Sequence, residues 1–286
     1  MAVETKVAQR TGTVPSGDVK LFYRVFGKPG ATPVLIFHGA NYYDSADWIE
    51  VGSAIATDRE VAAWDTRGFG RTGWSPSKDY GLDTQMADIV TLLDHLGWKK
   101  VIAMGHSQGG GRAILFASRF PGRVAGLLIV DHCPGRGVAV PLPKQSIGKK
   151  QTVFPTIEAA QEEMSRDTNT PPGSAARARL DEILKKVDGG YVYPRDPDFQ
   201  NGVAVGAEGR KPKIVVGDMW QELAGVKAPT MLVRAIKSDR YNDASLAKVK
   251  AEFPKIRRID VDCGHDVANG APQALIEAAR GFVKSL

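Results

Sequence analysis

Val101-Ile102-Ala103-Met104-Gly105-His106-Ser107-Gln108-Gly109-Gly110-Gly111 decides how this chain is read. A short apolar run climbs to Met104, breaks at residues 105–109, and gives way to a helical stretch over residues 112–118. Gly-x-Ser-x-Gly between a strand and a helix makes an elbow so tight that its flanking positions must lack side chains. The turn lifts the Ser107 hydroxyl clear of the sheet. The helix that follows aims free backbone N–H groups and a partial positive charge at the same spot.

Working outward, the flanks alternate strand and helix. Upstream, residues 1–17 read as a frayed lead-in, and residues 19–25 alternate apolar and polar as a half-buried strand does. Val34-Leu35-Ile36-Phe37 is a continuous apolar run, the mark of a strand buried on both faces, and it ends at His38-Gly39-Ala40-Asn41. Trp48, Val51 and Ile55 are spaced for one face of a short helix. Residues 60–64 form the next strand, ending in Asp65-Thr66-Arg67-Gly68-Phe69-Gly70. Met86, Ile89, Val90, Leu93 and Leu96 follow helical spacing, with Asp83 or Thr84 as cap and Gly97 as stop. Downstream, Pro121-Gly122 ends the elbow helix and residues 124–130 form another buried strand, ending at Asp131. Short-looped alternation of this kind predicts a parallel sheet with helices on both faces, and ligand sites at the carboxyl ends of its strands. His38, Ser107 and Asp131 all fall at such ends.

The character changes near Cys133. Residues 134–217 carry scattered Pro and Gly and no clear parallel strand. Two helices are readable, one over residues 156–164 and one capped by Ser174 that runs to Val187 and stops at Gly189-Gly190. This stretch reads as an inserted, mainly helical cap (134–217) within a core domain made of residues 1–133 and 218–286. The alternation then resumes with a short helix over 218–225, a strand led by Pro229, Asp239 in the following loop, and a last strand over 257–261. Cys263-Gly264-His265-Asp266 follows, and a C-terminal helix opens near Pro272.

Composition narrows the classes. The chain has 286 residues, 43% hydrophobic and 24% charged, which suits one large domain or one domain with an insertion. No window approaches 18 consecutive apolar residues, so no membrane span is expected. The first 15 residues lack the apolar core of a signal peptide. The net charge of +6 is scattered in short pairs such as Lys99-Lys100, so no nucleic-acid patch is expected. Cys133 and Cys263 show neither a disulfide framework nor metal-ligand spacing and read as small core residues. A cytoplasmic protein without metal or cofactor is the expectation. Oligomeric state is not encoded in any pattern found.

In this order the motifs resemble those of the α/β-hydrolase fold superfamily, over about residues 19–133 and 218–286. His38-Gly39 resembles the oxyanion loop, Asp65 to Gly70 the D-x-R-G-x-G turn, residues 105–109 the nucleophile elbow, residues 229–239 the strand and loop that carry the acid, and Gly264-His265 the histidine loop. One departure is Ala235, where relatives commonly have Gly. The resemblance implies a Ser-His-Asp triad of Ser107 as nucleophile, His265 as base and Asp239 as acid, in the chain order of that fold. Asp131 is the alternative acid, since some relatives carry it after the strand that follows the elbow. The backbone N–H groups of Ala40 and Gln108 are expected to form the oxyanion hole. Asp266 reads as a loop or surface residue, Asp65 and Arg67 as a pair that fixes a turn, and Tyr42, Tyr43, Trp48 and Trp220 as core aromatics.

Serine at the elbow, where epoxide and halide-displacing relatives typically carry aspartate, argues for acyl transfer. The expectation is a serine hydrolase of the carboxylesterase or lactonase type acting on a small-molecule ester or lactone through an acyl-enzyme. The same triad also serves C–C bond hydrolases and hydroxynitrile lyases. The first of these typically has Asn before the serine and a Gly-rich run after His-Gly; His106 and Ala40-Asn41-Tyr42 stand in those places here. Triad-retaining ligand receptors are the competing non-enzyme class.

Overall fold

A computed structural model describes residues 8–140, 151–171, 174–197, 214–216 and 219–286. Eight strands form the central sheet: β1 (Gln9–Ser16), β2 (Val19–Phe26), β3 (Val34–Phe37), β4 (Val61–Trp64), β5 (Val101–His106), β6 (Val124–Val130) and two that follow the insertion. Those two are β11 (Thr230–Ala235) and β12 (Arg257–Val261). The spatial order is β1-β2-β4-β3-β5-β6-β11-β12. β1 and β2 pair antiparallel, β2 pairs antiparallel with β4, and every pair from β4 to β12 is parallel.

The buried strands earn their place by alternation. Leu35, Phe37, Ala62, Trp64, Ala103, Leu127 and Ile129 face one side, where they meet α2 (Leu82–His95), α3 (Gln108–Arg119) and α6 (Met219–Gly225). Val34, Ile36, Val61, Ala63, Ile102, Met104, Leu128 and Val130 face the other, against α1 (Ile49–Ile55) and α8 (Pro272–Lys284). β3, β4 and β6 are therefore apolar at every position, and β5 up to Gly105, as a sheet covered on both faces requires.

Several elements differ from expectation for local reasons. The lead-in forms a strand from Gln9: β1 is a polar strand at the sheet's edge, and its exposure hid it from an apolar-pattern reading. Gly81, not Asp83 or Thr84, stands at the N-cap of α2. The second helix read after Cys133, α5 (Ser174–Ile183), stops before Val187. Lys185–Val187 (β8) and Gly190–Val192 (β9) form a hairpin whose turn glycines sit at φ +81° and +146°. A ten-residue helix, α7 (Asp243–Glu252), lies after Asp239 and has little amphipathic pattern to betray it.

Between β6 and β11 the described residues hold more than helices. α4 (Ile157–Thr168), capped by the Thr156 side chain, and α5 are accompanied by the β8–β9 hairpin and a second antiparallel pair, β7 (Val138–Val140) with β10 (Ile214–Val216). Phe154, Ala160, Met164, Leu180, Ile183 and Tyr193 pack on Tyr42 and Ala46 of the core. Arg179 ion-pairs with Asp47 and donates to the Tyr42 carbonyl at 2.8 Å, while Glu182 pairs with Arg24 at 2.7 Å and Arg71 at 2.6 Å. No helix among the described residues is long and apolar enough to cross a membrane.

Candidate active site

Strand register brings the functional side chains to one edge. Phe37 of β3 is level with Gly105 of β5, His106 with Val130 of β6, and Val130 with Val233 of β11. The ladder continues one residue past the strands: Ser107 N–H donates to the Val130 carbonyl at 3.0 Å, and Asp131 N–H to the Val233 carbonyl at 2.8 Å. Ser107 and Asp131 thus leave neighbouring strands at the same height.

Both residues turn there in the same unusual way. Ser107 has φ +53° and Asp131 has φ +44°, a region that L side chains seldom adopt. The elbow permits it because its glycines sit against backbone. A Cβ on Gly109 would collide with the carbonyl oxygens of Phe37 and His38, and one on Gly105 with that of Gly109.

A continuous hydrogen-bond chain results. Ser107 Oγ lies 2.8 Å from His265 Nε2, and His265 Nδ1 lies 2.7 Å from Asp131 Oδ2. The other Asp131 oxygen accepts the backbone N–H of Ala235 at 3.1 Å. A carboxylate can only accept, so His265 carries its proton on Nδ1 and presents a bare Nε2 to the serine. His265 is buried and Asp131 wholly so.

The structure therefore corrects the acid. Asp239 does not reach His265. It sits four residues beyond the end of β11, with its side chain 69% exposed, paired with Arg136 at 3.2 Å and Arg240 at 2.9 Å. The end of β11 instead supplies the Ala235 N–H that holds Asp131. Asp266 lies in a loop as expected but is fully buried rather than at the surface, and accepts from the Asn269 side chain at 2.9 Å. Arg67 pairs with Asp88 at 2.6 Å rather than with Asp65, which accepts the backbone N–H groups of Ser45 and Arg71, both at 2.7 Å. Tyr42, Tyr43, Trp48 and Trp220 are buried, and so are the two free cysteines.

The loop after β3 is shaped by the His38 ring. Its Nδ1 donates to the Gly39 carbonyl at 2.6 Å and its Nε2 accepts the Thr66 N–H at 2.9 Å, so the ring is neutral with the proton on Nδ1. Burial pushes its pKa down to about 3. Gly39 lies so close to Ser107 that an added Cβ would stand 3.3 Å from the serine Cβ. Ala40 follows, buried, and Gln108 is the first residue of α3, whose N-terminus no side chain caps. The segment after β3 thus runs close beside the serine that precedes α3.

Around the relay lie two further buried histidines. Burial, and His265 beside them, push His106 down to about 4 and His132 to about 3. The rings of Tyr43 and Trp48 close over His106 at 4.9 and 6.2 Å between centroids. Sequence reading also missed the contact made by the insertion: the Thr168 carbonyl accepts the His265 N–H at 2.8 Å. Its only local signal is Asn169, a left-handed helix terminator at φ +49°. Among the described residues no group of His, Cys, Asp and Glu is arranged to hold a metal ion.

This sheet order, elbow and histidine loop define the α/β-hydrolase fold. The sequence profile of the α/β-hydrolase fold family matches residues 32–152. The chain is 33% identical over 126 residues to a non-heme chloroperoxidase of Streptomyces lividans, covering 43% of this chain and 45% of that one. It is 30% identical over 175 residues to an sn-1-specific diacylglycerol lipase of Danio rerio, covering 60% and 51%. Each match spans about half the relative's length. A solved E-2-(acetamidomethylene)succinate hydrolase superposes with a TM-score of 0.78 at 21% identity, over 97% of this chain and all of that one. The chain has the α/β-hydrolase fold, and its residues 32–152 match that family's sequence profile.

Proposed function

We propose that this chain is a serine hydrolase that cleaves a carboxylic ester or lactone through an acyl-enzyme. The observation that carries the reading is the unbroken chain Ser107 Oγ, His265 Nε2, His265 Nδ1, Asp131 Oδ2, with steps of 2.8 and 2.7 Å. A serine hydroxyl is a weak nucleophile at neutral pH and needs such a base within hydrogen-bond reach.

In the first half-reaction Ser107 Oγ attacks the carbonyl carbon while its proton passes to His265 Nε2. The imidazolium so formed is stabilised by Asp131 on its other nitrogen. The carbonyl electron pair moves to oxygen, where the N–H groups of Ala40 and Gln108 receive it. Collapse breaks the C–O bond, and His265 returns the proton to the departing alkoxide. In the second half, water gives its proton to His265 and attacks the acyl carbon. Expulsion of Ser107, reprotonated by His265, releases the acid. Electrostatic stabilisation of the oxyanion is worth on the order of 3 kcal/mol per donor.

We assign the insertion the role of a cap that encloses the substrate, because Thr168 touches the histidine loop and α5 seats on Asp47. The test is hydrolysis of p-nitrophenyl acetate and butyrate by the wild type and Ser107→Ala. Sustained turnover is expected, lost by at least about a thousandfold in the variant with the fold intact. Undiminished turnover in Ser107→Ala would remove the serine from the mechanism. A single burst without turnover would mark a nucleophile that does not deacylate.

A further inference from the structure

The His265 peptide group is gripped from both sides. Its N–H donates to the Thr168 carbonyl at 2.8 Å, and its carbonyl accepts from His106 Nε2 at 2.7 Å. One grip comes from the inserted segment, the other from the elbow that carries the nucleophile. The next peptide is held as well: Asp266 N–H donates to Thr170 Oγ1 at 3.2 Å. The fit is close, since a Cβ on Gly264 would collide with the Asn169 carbonyl.

His106 suits this task by position and by chemistry. It immediately precedes Ser107, and as the last residue of β5 it is fixed by the ladder. A carbonyl oxygen can only accept, so the His106 proton lies on Nε2. The ring packs edge-on against Tyr43 and tilted against the His265 ring at 4.8 Å. The triad spans three separate segments; the sheet ladder joins those of Ser107 and Asp131, whereas His265 lies beyond it. The bond from the His106 ring to the His265 carbonyl ties the histidine loop to the elbow independently of the triad side chains.

We propose that His106 is a positioning residue for His265, and that the turn at residues 168–170 is its opposing half, so that the base is in register with Ser107 only while the inserted segment is seated. This rests on the serine-hydrolase reading for its kinetic consequence, and on geometry alone for its structural one. Neither His106 nor Thr170 is assigned contact with the reacting atoms. A displacement of the base of about 1 Å is enough to cost about a hundredfold in rate.

The experiment compares His106→Phe, His106→Gln and Thr170→Val. Phe keeps an aromatic ring but has no donor; Gln loses the ring but returns an N–H at similar reach. The first readout is the split between kcat and KM with p-nitrophenyl butyrate. The second is the proton NMR resonance of His265 Nδ1–H in its hydrogen bond to Asp131, with His265→Ala as the assignment control. His106→Phe is expected to lower kcat about 10- to 100-fold with KM within about twofold, and His106→Gln to recover most of it. Thr170→Val, nearly isosteric, should lower kcat several-fold. The Nδ1–H resonance should broaden in His106→Phe and Thr170→Val.

Equal losses in His106→Phe and His106→Gln would make ring packing the role of His106 and overturn the proposal. So would an unchanged resonance and wild-type kcat in His106→Phe. If the wild type cleaves neither ester, the hydrolase reading fails for those substrates while the resonance still decides this one. Should His106→Phe not fold, Thr170→Val with an unperturbed resonance is sufficient to overturn it.

Discussion

Two neighbouring strands of the sheet each lead to an aspartate, and only one of these can serve His265. β6 ends at Val130, and the next residue, Asp131, is still held by the ladder through its N–H and is wholly buried. β11 ends at Ala235, and Asp239 lies four residues on, 69% exposed between two arginines. Asp131 itself carries a ladder bond, whereas the last such bond on the β11 side, Lys237 N–H to the Cys263 carbonyl at 3.0 Å, comes two residues before Asp239. A carboxylate one residue past a strand inherits the precision of the sheet, whereas one four residues past follows its loop. The positive φ of Asp131 completes the difference, since it turns the chain as the elbow does on the adjacent strand.

The most direct way to break this comparison is Asp131→Asn. The amide can still accept from Ala235 N–H, so folding should survive. It cannot act as an anionic partner for the His265 Nδ1–H or balance an imidazolium. A loss of about 10³- to 10⁴-fold in kcat is expected, against less than about twofold for Asp239→Asn. The reverse ranking would return the acid to the β11 loop.

How much of this was legible in the sequence follows from the range of the forces involved. The buried strands announced themselves because sheets covered on both faces demand apolar residues at each position. The elbow was legible because its glycines answer a local steric demand. Motif order singled out Ser107 and His265, whose side chains stand 2.8 Å apart. In sequence the acid reads as Asp239, with Asp131 as the alternative, since both aspartates follow strands and burial depends on distant partners. β1 was missed for its polarity and α7 for its weak patterning. The grip of Thr168 on His265 joins segments about a hundred residues apart, and no local pattern encodes it.

The buried edge around Asp131 should also respond to pH in a way that the Asp239 loop does not. His38, His106 and His132 are pushed down to about 3, 4 and 3, chiefly by burial. Unfolded, each titrates near 6.5, so the unfolded chain binds more protons as pH falls. Their contribution to stability is full above about 6.5 and is lost as pH falls toward the folded values. At pH 5 each costs about 2 kcal/mol. Asp44, raised by burial and by Asp65 beside it, works oppositely and offsets part of the loss. Urea unfolding should show lower stability at pH 5 than at pH 7. His38→Gln should reduce that difference by about 2 kcal/mol. An unchanged difference would mean that His38 takes up a proton in the folded state.

The smallest expected effect sharpens the contrast from the other side. Asp239 pairs with Arg136 and Arg240 in open solvent, where Coulomb attraction is screened and long side chains lose entropy on pairing. Asp239→Asn should therefore change stability by no more than about 0.5 kcal/mol, and added salt should erase the difference. Its kcat should stay close to wild type at every salt concentration, because nothing in the relay touches it. A loss of kcat that deepens at low salt would show that the arginine cluster, freed of its counter-charge, acts on His265 through its field. That outcome would make the two aspartates partners rather than alternatives. A salt-independent loss would instead mean that the loop itself must hold its shape for the site to work.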